Sequence, residues 1–200
     1  MSNVRLTKNF RIPVMVVSER YDFPVVVQYV AAVRMITHTE DEVQQNVAYD
    51  RIRFWVQAIM TDSVLIAQDD PKLDVWLKTG ARCMTLPQDP VDQLVGMMLL
   101  CKLNSIAEGR IGVEEVELNS VLDDDIVYHH AADEDPGPFA ASGWWRDPKP
   151  TCSDQPVRKQ RGKVIALRRS DSWKEYGMDW DQEDREAQIL VADFGNDEKK

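Results

Sequence analysis

Glycine is scarce, at nine residues in 200, and none of the nine falls in a GxGxxG, Walker or GxSxG pattern. Nucleotide chemistry on a standard phosphate cradle, and a nucleophile held on a strained strand-to-helix turn, are therefore disfavoured. Cysteine is scarcer still: Cys83, Cys101 and Cys152 are odd in number, widely spaced and without a CxxC pair. Such spacing supports neither a disulfide framework nor a zinc ribbon, and it fits a reducing compartment. No stretch reaches the roughly 18 apolar residues of a spanning helix. The opening MSNVRLTKNFRIPVMVV has only a short apolar run broken by Pro13, without a cleavage pattern. A cytoplasmic protein with no membrane partner is expected. Positive charge is in deficit, 24 basic against 34 acidic residues for a net charge of −10, which argues against a generally basic nucleic-acid binder.

With 44% hydrophobic residues in 200, the chain can bury one sizeable core. RIPVMVVS (11–18) is rich in β-branched residues and predicts a strand. DFPVVVQYVAAVRMIT is ambiguous; Pro24 at a helix start with Val26, Tyr29, Val30 and Val33 on one face favours a helix over the strand suggested by its Val triplet. Thr39 and Glu42 form a capping-box pattern before a helix over about 40–60, and residues 71–79 predict a short helix ending at Gly80. SVLIAQ either extends the 40–60 helix or forms a strand. Asp89 suits an N-cap and Pro90 a first helical position, opening a helix over about 90–107 that is apolar nearly all round from Leu94 to Cys101 and so is central and buried. Cys83 and Cys101 sit in apolar surroundings and read as packed thiols. IGVEEVELNSVLDDDIVYHHA predicts a hairpin ending near His130, with Glu114 and Glu117 on a solvated side and Asp123, Asp124 and Asp125 at the turn.

Residues 131–160 hold five of the ten prolines and no usable periodicity, so they predict a long exposed arm. Strands at KVIAL and AQILVADF follow. The expected class is α+β: a 1–130 core with a central buried helix and a β-hairpin, a 131–160 Pro/Trp-rich arm, C-terminal strands over 161–194 packing on the core, and a charged tail at 195–200.

No motif specifies a reaction, no catalytic residue is identified and no cofactor is expected. The leading expectation is a non-enzymatic interaction protein whose arm docks a protein partner through Trp144, Trp145 and Arg146, since Trp and Arg dominate interface hot spots. The first alternative is single-stranded nucleic-acid binding, with Trp173 stacking on bases and Arg158, Lys159, Arg161 and Lys163 on phosphates. The 158–169 block holds six cations and no acid, yet seven acids lie between Asp171 and Glu186 and can neutralise it. The second is a metal-dependent hydrolase in which His130, Asp133 and Asp135 meet an oxygen-loving cation. His129 and His130, as neighbours in a strand, point to opposite faces and cannot share one ion on regular backbone.

TLPQDPVDQLVGMMLLCKLNSIAEGRI together with GPFAASGWWRDPKP resembles accessory proteins of tailed bacteriophages. The resemblance covers about a third of the chain. It implies a viral modulator of a host macromolecule in the bacterial cytoplasm and transfers no site residue.

Overall fold

The computed structural model describes residues 4–121, 126–154 and 170–181. Two long strands, β1 (Arg5–Val16) and β2 (Val25–Thr37), pair antiparallel along their whole length. The helix expected at 25–37 is a strand. Val27, Tyr29, Ala31, Val33 and Met35 are buried while Val26, Gln28, Val30 and Arg34 are exposed, a period of two that pairing with β1 enforces over the local helical match. Helix α1 (Glu42–Phe54) passes into one π-helical segment, Trp55–Met60. Its N-cap is Asp41, whose carboxylate accepts from the Val43 and Gln44 amides; Thr39 instead accepts from the Asp41 amide.

The remaining elements are β3 (Val64–Ala67), α2 (Leu73–Thr79), β4 (Cys83–Leu86), α3 (Asp92–Ala107), β5 (Ile111–Ser120) and β6 (Tyr128–Ala131). SVLIAQ is thus a strand. Helix α3 begins after Val91, and Asp89, expected as its cap, accepts instead from the Ser18 hydroxyl and the Glu19 amide. The six strands form one mixed sheet in the order β4-β3-β1-β2-β5-β6, so the α+β class holds.

The sheet's two faces differ. Val14, Val16, Val27, Tyr29, Val33, Val116 and Leu118 face α1 and α3 in the main core. The opposite parity of β1 and β3, Met15, Val17, Val64 and Ile66, packs under α2 with Leu73, Trp76 and Leu77, forming a second and smaller core. Helix α2 therefore covers the second face at the β3–β4 end. Among the described residues no helix lies over that face across β2, β5, β6 and the part of β1 before Met15.

The described part of the 131–160 stretch is not an exposed arm. Phe139, Trp144 and Trp145 are at most 3% exposed and belong to the main core. Trp144 stacks on Trp55 and donates to the Thr85 carbonyl, and Trp145 donates to the Phe139 and Ala141 carbonyls. Burying indole area stabilises by about 1.5–3 kcal/mol per side chain once the N–H is satisfied. Lys102, fully buried on α3, donates its ammonium protons to the carbonyls of Trp144, Asp147 and Lys149, each at 2.8 Å. Burial lowers its pKa to about 7, and the nearby Asp147 charge opposes the drop. Arg51 of α1 is the matching clasp for residues 170–181: it donates to the Met178 carbonyl and lies over the Trp180 and Trp173 rings. An ordered arm that lacks its own periodicity is held by cations reaching into it from helices.

Candidate functional site

Among the described residues, the uncovered face brings Arg34, Glu115, Glu117 and His129 together. Arg34 of β2 pairs with Glu115 of β5, and Ala32 with Glu117; Glu117 pairs in turn with His129 of β6. Glu115 and Glu117 are two residues apart in one strand and so share this face. A β-bulge interrupts the β2–β5 ladder: Met35 pairs with Val113 and Arg34 with Glu115, leaving Glu114 unpaired. Two residues lie between the core-facing Val113 and Val116 where regular alternation allows one, so Glu114 and Glu115 both turn away from the core. Glu114 is 3.8 Å from Arg5.

One guanidinium nitrogen of Arg34 donates to Glu115 Oε2 and the other to Glu117 Oε1. His129 Nδ1 lies 3.4 Å from Glu115 Oε1 and 3.7 Å from Glu117 Oε1. Two carboxylates thus share one cation and one half-exposed imidazole, and with that imidazole neutral the cluster carries a net negative charge. One ligand atom from each of Glu115, Glu117 and His129 falls within 4.8 Å of the others. Among the described residues this is the one group of three His, Cys, Asp or Glu side chains that meets that spacing. Two carboxylates and an imidazole suit zinc, manganese or iron, and three protein ligands leave coordination positions open to solvent or substrate. Arg34 bonds Glu115 through Oε2, the oxygen away from His129, and Glu117 through Oε1, and so orients both carboxylates.

The residues singled out from sequence are distributed otherwise. His130 is 3% exposed and faces the core, its ring against Gly96 of α3: a Cβ built on Gly96 would lie 2.5 Å from His130 Cδ2. Its Nε2 is buried without a hydrogen-bond partner, and desolvation lowers its pKa. Asp133 and Asp135 are exposed, and Asp135 accepts from the Gly137 amide in a local turn. His130, Asp133 and Asp135 therefore form no common site, because strand parity sends His130 inward while both acids stay in the solvated turn. Trp144 and Trp145 are core residues, which removes them as docking anchors. Arg146 is exposed and donates to the Phe139 carbonyl. Trp173 is 6% exposed and donates to the Pro148 carbonyl, so its ring is not free to stack on bases. Arg158, Lys159, Arg161 and Lys163, the C-terminal strands and the Asp123–Asp125 turn lie outside the described residues.

Sequence reasoning missed all four residues: Arg34 and Glu115 went unremarked, Glu117 read only as solvated, and His130 stood in the place of His129. The usable signal was the i, i+2 pair Glu115/Glu117 in one strand of a hairpin whose other strand ends in two histidines. Elsewhere, a cavity of about 40 Å³ at the start of α3, lined by Ser18, Arg20, Tyr29 and Asp92, holds no more than a few waters.

No family model and no curated protein matches the chain. Among solved structures, it is similar to an uncharacterized protein from Wolinella succinogenes at 11% identity and a TM-score of 0.46, over 66% of this chain and 100% of that one. It is also similar to 6-pyruvoyl tetrahydropterin synthase from Plasmodium vivax (11% identity, TM-score 0.40, 66% of this chain and 99% of that one). The Plasmodium falciparum synthase gives 8% identity and a TM-score of 0.38, over 65% and 98%. Scores at this level carry no residue, substrate or reaction over. The expectation of a non-enzymatic interaction protein docking through Trp144 and Trp145 is corrected, because both rings are packed in the core.

Proposed function

We propose that the protein binds a divalent transition-metal ion on the uncovered face of its sheet and uses it as a Lewis-acid centre toward a small molecule. Glu115, Glu117 and His129 are the ligands, and Arg34 orients the two carboxylates. The observation that carries this reading is the convergence of one imidazole and two carboxylates, from two adjacent strands, within 4.8 Å. An ion held only for folding is enclosed by four protein ligands, whereas this set has three and opens to solvent. A metal bound here polarises a carbonyl or phosphoryl oxygen, or lowers the pKa of a bound water.

The test is calorimetric titration of the full-length protein with zinc and with manganese. One ion per chain is expected, with His129→Ala and Glu117→Gln each weakening binding at least about tenfold. Binding that neither substitution changes, or no binding of either metal, overturns the assignment.

A further inference from the structure

An apolar strip adjoins the cluster on the same face. Val127 precedes His129 by two residues, immediately before β6 begins at Tyr128. It is 44% exposed. Extending the β5–β6 register places it beside Asn119, which pairs with Val30 of β2. Val30 is 43% exposed, and Val26, four residues further along the same strand, is 70% exposed. Val26 pairs with Met15, where the cover of α2 begins. The strip therefore runs from His129 toward the α2 wall, crossing only the neutral Asn119 and Gln28, with Arg11 on its border opposite Val30.

We propose that the molecule acted on at this site is amphipathic, with a metal-chelating oxygen-bearing head at Glu115, Glu117 and His129 and an uncharged apolar tail on Val127, Val30 and Val26. This deepens the metal-centre reading and rests on it. Three valine side chains fall far short of the roughly 800 Å² per partner that a stable protein interface buries, so a small-molecule tail fits the strip and a macromolecule does not. Exposed apolar side chains contiguous with a polar cluster also match the usual make-up of ligand sites, where a few polar groups orient a mostly apolar body.

Hydroxamates test this, because their head chelates divalent metals while the tail can be varied. Acetohydroxamate and octanohydroxamate would be titrated into the zinc-loaded full-length protein, into the metal-free protein and into a Val30→Asn/Val127→Asn double variant. The octanoyl compound is expected to bind at least about tenfold tighter than the acetyl compound, since each buried methylene contributes favourably. In the double variant that ratio falls toward one with acetohydroxamate affinity unchanged. Equal affinities for the two compounds, or a ratio the double variant leaves intact, overturn the tail assignment while the metal reading stands. Octanohydroxamate binding equally well without zinc overturns the link between head and tail. Failure of zinc itself to bind removes the metal reading and this inference with it.

Discussion

His129 and His130 are neighbours in the chain with opposite surroundings. The first stands half-exposed beside two carboxylates; the second is packed against a glycine with one ring nitrogen lacking any partner. The same contrast separates the sheet's two faces. On the covered face polar groups are few and serve packing: Lys102 and Arg51 reach carbonyls that the arm could not otherwise satisfy. On the uncovered face the polar groups gather around no packing need, which is how a site differs from a clasp.

If that contrast is real, damage to the covered face should appear in stability and damage to the open face in ligand binding. The largest stability loss is expected for Lys102→Met, which strands the buried Trp144 carbonyl and two part-buried ones, at about 3 kcal/mol by chemical denaturation. A loss under about 1 kcal/mol would mean the three contacts add little. Gly96→Ala comes next, at about 1–3 kcal/mol from overpacking against His130. In a His130→Ala background the same substitution should change sign and stabilise by up to about 1 kcal/mol, because alanine is the better helix former. Persistence of the penalty in that background would place the clash elsewhere.

A smaller effect is expected from pH. The folded pKa of His130 lies below its ordinary value of about 6.5, so the unfolded chain takes up the proton first. Stability from this residue is present above about pH 6.5 and is lost as pH falls from there toward the folded pKa. His130→Leu should flatten that part of the profile, and an unchanged slope would assign it to other groups. The smallest stability change, within about 0.5 kcal/mol, is expected for Glu117→Gln, although it weakens metal binding. A larger loss of stability would make the Arg34 pairing a structural device.

Much of the covered face could be read from sequence, and little of the open face could. The helices at 40–60, 71–79 and 90–107 announced themselves by apolar spacing, Gly80 and the all-round apolar run from Leu94 to Cys101. The β5–β6 hairpin was legible in IGVEEVELNS and IVYHHA. Residues 25–37 misled because their valines satisfy a helical stripe and a strand alternation equally well, and only the partner strand decides. Trp144, Trp145 and Trp173 looked exposed because prolines and absent periodicity suggest an arm. Their burial depends on Lys102 and Arg51, more than 40 residues away in the chain. The Arg34–Glu115–Glu117–His129 group combines three strands, and their register is not written in composition.

The clasps also set a schedule for biosynthesis. Trp144, Trp145 and Trp173 complete a core begun by Phe10 and Ile12, and Arg51, already donating to Glu108, gains the Met178 carbonyl last. While the chain emerges from the ribosome, α1 and α3 present unfilled apolar surface until residue 178 is free. Truncation between residues 149 and 178 leaves Lys102 its acceptors but takes the Met178 carbonyl from Arg51 and Trp173 from the core, so the late residues act as the closing step of maturation.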